Sequence, residues 1–180
     1  MAAIPLDQKI KSAVAAWREK GYERASPVTQ RLLEFWFNEE HWLKDGSPFQ
    51  YWCAQREAIE ALIYVYEVCR CHNLYSLSRN FGVSPTFNPT TDNWTDNWPK
   101  YCFKMATGSG KTFVMALAIV WQYFNRFFRT ENGCRYTSKF LLIAPNLIVL
   151  DRLNEAFEDN AIFQSLPFIP PEWEADFDLQ

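Results

Sequence analysis

A chain of 180 residues is long enough to bury one domain core, and 48% hydrophobic residues is an ordinary supply for it. The formal net charge of −3 and the pI near 5.5 give no electrostatic support to this chain holding nucleic acid by itself. No apolar run approaches the roughly 20 residues that span a bilayer, so a membrane partner is not expected.

The first 20 residues place Ile10, Val14 and Trp17 at helical spacing, with Lys9, Lys11, Arg18 and Lys20 on the other face. Gly21 ends that helix. Ser26-Pro27 reads as an N-cap followed by proline at the first helical position, starting a helix expected to reach Trp42. Lys44-Asp45-Gly46-Ser47-Pro48 breaks the chain and marks a boundary between an N-terminal helical extension, 1–47, and a second part, 48–180. Residues 51–71 are helical again. Between Asn80 and Lys100 the composition changes to proline and asparagine, with a tandem Thr91-Asp92-Asn93-Trp94, Thr95-Asp96-Asn97-Trp98. That stretch reads as a long loop whose tryptophans pin it to the surface.

Residues 101–105 are expected to form a short strand, and 112–128 a helix buried nearly all round, since no charge precedes Arg126. Phe140-Leu141-Leu142-Ile143-Ala144 has the length and apolarity of a central parallel strand, and 147–159 is helical. Residues 176–180 look like the start of another strand. Strand, helix, strand, helix predicts an α/β fold, a parallel sheet with crossover helices. The five cysteines, Cys53, Cys69, Cys71, Cys102 and Cys134, follow no apolar leader, so reduced thiols and a cytoplasmic setting are expected. Cys69-Arg70-Cys71-His72 has poor ligand spacing, and no second cluster accompanies it; no metal site is predicted there.

The sharpest motif is Ala106-Thr107-Gly108-Ser109-Gly110-Lys111-Thr112. A triphosphate needs many donors converging on a small volume. Glycines let the backbone curl so that successive N–H groups point inward, and a following helix adds its positive end. Thr107, Gly108, Ser109 and Gly110 are the candidate cradle. Lys111 is placed to reach the β- and γ-phosphates, and the Thr112 hydroxyl to ligate Mg²⁺. The first position of the pattern, usually Gly or Ala, is Met105.

Residues 104–112 resemble motif I of superfamily 2 helicases of the DEAD/DEAH-box type. Methionine before Ala-Thr-Gly is a form found in relatives of the type III restriction enzyme Res subunit. Two further segments are similar to that family. Gln55-Arg56-Glu57-Ala58-Ile59 resembles its Gln-x-x-Ala-Ile element, which implies that Gln55 faces adenine, its amide donating and accepting. Residues 142–153 resemble motif Ia, which implies that Pro145, Asn146 and Leu147, at a helix start, touch the nucleic-acid backbone.

The resemblance covers about residues 48–160. It implies the N-terminal part of a RecA-like motor domain using ATP and Mg²⁺, from an ATP-dependent DNA helicase or translocase of a restriction or defence system. An endonuclease activity and a methyltransferase or specificity subunit are compatible with it. The acidic motif that activates water is absent after Lys111, since Glu158-Asp159 sits on a helix; family spacing puts it beyond residue 180. A truncated, inactive piece with an exposed sheet edge is expected on that basis. Two alternatives stay open: a non-motor P-loop domain of regulatory or kinase-like type, and a helical interaction module carrying a relic loop.

Overall fold

The computed structural model describes residues 4–82 and 99–179. The Trp94/Trp98 loop expectation lies outside the described residues. In chain order the elements are helix α1 (Leu6–Glu19), helix α2 (Pro27–Asn38), strands β1 (His41–Trp42) and β2 (Pro48–Phe49), and helix α3 (Cys53–Ile63), which runs on into a π-helical turn at Tyr64–Val68. Then follow helices α4 (Leu74–Asn80), α5 (Lys111–Phe127), α6 (Leu147–Phe157) and α7 (Ala161–Ser165), with 3-10 turns at Glu158–Asn160 and Pro171–Asp176. The chain divides into two units, Met1–Ala25 with Glu57–Ala106 and Ser26–Arg56 with Thr107–Gln180.

In the first unit α1 buries Val14 and Trp17, as its spacing requires, and Gly21 stops it at φ +68°. The charged residue that matters most here is Glu60, completely buried on α3. Its carboxylate accepts from Arg18 Nε at 3.0 Å, from Arg18 Nη2, and from the Tyr22 hydroxyl at 2.7 Å. A charge inside a protein persists only when donors surround it like this. Asn73 and Ser76 close a reciprocal capping box that starts α4.

In the second unit Ser26 caps α2, its hydroxyl accepting the Thr29 N–H at 3.0 Å, with Pro27 in the first turn. The helix stops at Asn38 rather than Trp42. Glu39 turns extended, and His41 and Trp42 pair antiparallel with Phe49 and Pro48 across a turn closed at Gly46, φ +81°. The buried His41 ring bonds the Phe35 carbonyl at 2.7 Å, so the chain that leaves the helix still gives a partner to an acceptor in its last turn.

Helix α5 buries Val114, Ala116, Leu117, Ile119, Val120, Trp121, Tyr123, Phe124 and Asn125, close to the all-round burial expected of it. Asn125 is the polar member. It donates to Thr29 Oγ1 at 3.0 Å and to the Trp121 carbonyl at 2.9 Å, and accepts from Ser26 Oγ at 2.7 Å. The same serine therefore caps α2 and ties it to α5. The second half of this unit's core is aromatic: Trp36 donates to the Phe168 carbonyl at 2.7 Å, and Tyr51 to the Pro167 carbonyl at 2.8 Å.

The described residues do not form the expected parallel sheet. Among the described residues the only sheet is β1–β2, antiparallel, and neither 101–105 nor 140–144 pairs as a strand. Residues 177–179 form no strand either; Phe177 packs on Tyr123 and Phe163, ring centroids 4.9 Å in both cases. A parallel strand exists only when neighbouring strands take up its N–H and C=O groups, and among the described residues no strand pairs with 140–144. Leu141 and Ile143 stand 83% and 81% exposed as a result, and α6 buries none of its residues.

Candidate functional site

The glycine loop turns on two left-handed residues, Gly108 at φ +80° and Gly110 at φ +82°. Gly110 is also the N-cap of α5. Lacking a side chain, it leaves the first turn of that helix without a side-chain cap. Its carbonyl instead accepts from the Phe113 and Val114 N–H groups, at 3.0 and 3.2 Å. An uncapped helix start at the end of a curled loop is an anion-attracting geometry, because N–H dipoles converge there. Thr107, Gly108 and Lys111 are exposed, while Ser109, Gly110 and Thr112 are half-buried.

What fixes this helix start is aromatic packing one residue further on. The Phe113 ring stacks on Phe49, centroids 6.3 Å and planes 10° apart, and lies 5.7 Å from Phe168. Lys111 and Thr112 therefore stand on a turn anchored into the core. Phe49, Phe113 and Phe168 were not singled out from sequence, and neither was Asn125. The one available signal is the single asparagine of α5, set between Phe124 and Arg126 at the end of a largely apolar helix.

Gln55 is brought directly to the loop. It is 5% exposed, near the start of α3, where its Oε1 accepts the Trp52 N–H at 2.9 Å. The Nε2 end lies against Gly110, so that a Cβ on Gly110 would collide with it. Glycine at 110 is thus required twice, by the left-handed backbone and by the glutamine amide.

The third expected segment is positioned but remote in kind. Asn146, extended at φ −158°, caps α6 by accepting the Val149 N–H at 3.0 Å, so its side-chain oxygen is already engaged. Pro145, Asn146 and Leu147 are all exposed, Leu147 at 74%. Arg152 is exposed, and among the described residues no ion pair joins it to Glu155.

Among the described residues no three His, Cys, Asp or Glu side chains group as a metal site. Burial pushes the Cys69 and Cys71 thiols above their ordinary range, and burial together with Arg70 lowers His72. Glu158 and Asp159 occupy an exposed 3-10 turn. No helix among the described residues is long and apolar enough to cross a membrane.

No curated protein and no solved structure matches the chain. One family matches residues 50–176, that of the type III restriction enzyme, res subunit. The match takes in Gln55, the whole glycine loop, α5 and α6. The chain belongs to the type III restriction enzyme res subunit family, whose members are helicase-like, ATP-binding components of restriction systems.

Proposed function

We propose that the chain binds ATP with Mg²⁺ at residues 107–112 and serves as the nucleotide-binding part of a DNA helicase or translocase in a restriction system. The observation that carries this reading is the Gly110 junction, where an uncapped start of α5 and the buried Gln55 amide meet. Backbone N–H groups of Thr107, Gly108, Ser109 and Gly110 hold the phosphates. Lys111 adds a full positive charge to the dipole end of α5, and Thr112 contributes a hydroxyl to Mg²⁺. Gln55 recognises adenine, with Nε2 donating and the second lone pair of Oε1 accepting. When bound, ATP supplies the phosphoanhydride whose cleavage powers movement. A non-motor phosphate-binding domain has no use for a glutamine at this place, and its burial against the loop favours the motor reading.

The same reading assigns Pro145, Asn146 and Leu147 to the DNA backbone, with Asn146 and Leu147 donating backbone N–H groups at the exposed start of α6 and Pro145, which has none, only packing against it. It takes 101–105 and 140–144 as the strand segments of a parallel, RecA-like sheet in 48–180, unpaired in the structure, preceded by a helical extension over 1–47; the exposed apolar side chains of Leu141, Leu142 and Ile143 shortly before α6 support it. The same reading expects a methyltransferase partner and a cytoplasmic setting, and membership of the family supports both.

The test is titration of the folded chain with a fluorescent ATP analogue and Mg²⁺. Lys111→Ala abolishes saturable binding, and Gln55→Ala weakens ATP while leaving GTP unchanged. Equal binding by Lys111→Ala, or none by the folded wild type, overturns the assignment.

A further inference from the structure

Helix α5 has 17 residues, so its far end lies about 25 Å from the phosphate loop. An open pocket of about 420 Å³ sits there, lined by Arg126, Phe127, Arg129, Ser138, Lys139 and Asp178. The three cations reach it from two stretches of chain, the end of α5 and the segment after the turn at Gly133. All three are exposed, and among the described residues none is in an ion pair. Of the chain's 18 Lys and Arg, four fall within residues 126–139, against one of its 21 Asp and Glu. An acidic chain thus concentrates positive charge at one place. Arginines beside a helix C-terminus offset its dipole, but that accounts for neither Lys139 nor the aromatic lining.

Phe127 is that lining. It is 46% exposed, with one face stacked on Tyr123 at 6.1 Å and 10° between planes. Tyr123 is itself pinned, its hydroxyl donating to the Asp176 carbonyl at 2.9 Å and accepting the Asp178 N–H at 3.1 Å. Phe127 is therefore a flat ring, fixed from behind, set among unpaired cations. Asp178 is the one carboxylate in the lining and leaves the pocket net positive.

We infer that this pocket is a subsite for single-stranded DNA, with Arg126, Arg129 and Lys139 neutralising backbone phosphates and Phe127 supporting a base. Unpaired cations around an open, backed aromatic ring are the pairing that holds single strands without sequence preference. The site is separate from Pro145–Leu147. The choice of DNA over other polyanions rests on the proposed function; the charge and stacking argument does not.

The test is anisotropy of a fluorescein-labelled oligo-dT with the full chain across a salt series. Arg126→Gln/Arg129→Gln/Lys139→Gln lowers affinity at least about tenfold and flattens the slope of log K against log salt by about 2, at roughly 0.7 per lost phosphate contact. Phe127→Leu weakens binding about threefold or more with the slope unchanged, because stacking releases no counterions. The charge-matched, exposed control Lys20→Gln/Lys44→Gln/Lys100→Gln stays within about twofold of wild type. Circular dichroism and ATP-analogue binding are unchanged in every variant. Equal losses in the pocket and control variants overturn the inference, as does a wild type that binds no oligonucleotide. Failure of ATP binding with this DNA pattern intact sinks the nucleotide assignment and leaves the subsite standing.

Discussion

Replacing Gly110 by alanine separates two forces that act on the phosphate loop. The residue sits at φ +82° and ψ 43°, where an L-residue costs about 1–2 kcal/mol. The new methyl also lands on the Gln55 carboxamide. That side chain is 5% exposed and held by the Trp52 N–H at 2.9 Å, so moving it gives up a bond worth about 1 kcal/mol. Gly110→Ala is therefore expected to cost about 2–3 kcal/mol, a fall in Tm of roughly 4–12 °C for a chain of this size. Gly108 has nearly the same backbone, φ +80°, with nothing within 4 Å of its added Cβ, and should lose only the first component. In a Gln55→Ala background the excess cost of Gly110→Ala disappears, a coupling of about 1 kcal/mol in a double-mutant cycle. Urea denaturation followed by tryptophan fluorescence measures all four chains. Gly110→Ala no worse than Gly108→Ala, or equally costly in both backgrounds, would refute the placement of Gln55 at the loop.

Three other perturbations probe the rest of the molecule. Glu60→Ala strands the Tyr22 hydroxyl and Arg18, but Arg18, with its side chain 34% exposed, regains water; the expected loss is about 2–3 kcal/mol by urea denaturation, below that of a fully buried pair. A change under about 0.5 kcal/mol would mean that the carboxylate is solvated. His72, held below its ordinary 6.5 by burial and Arg70, with Nδ1 buried and unpartnered, takes a proton more readily unfolded than folded. Its contribution to stability is complete above pH 6.5 and is lost as the pH falls below it, so His72→Gln should flatten the decline between about pH 7.5 and 5.5. An unaltered pH profile would remove His72 from that account. Ile143→Ser, at a position 81% exposed, should change stability by no more than about 0.5 kcal/mol and reduce aggregation. A loss above about 2 kcal/mol would show 140–144 buried in solution, as a sheet strand is.

Short-range chemistry was legible from the residues alone. A helix closes its hydrogen bonds four residues away, so Ser26-Pro27, the Val14/Trp17 stripe and the apolar run before Arg126 each announce an element nearly complete in themselves. The glycine loop was equally visible, because its left-handed turns need glycine wherever the rest of the chain lies. Only the tertiary structure decided that Gln55 is buried against Gly110, that Asn125 ties α5 to the cap of α2, and that Phe113 is clamped by Phe49 and Phe168. It also decided that His41 and Trp42 leave the helix to pair with Phe49 and Pro48, and that 140–144 finds no strand beside it among the described residues. A strand's hydrogen bonds and a buried amide's partners lie far along the chain, and the apolar pattern that permits them does not specify them.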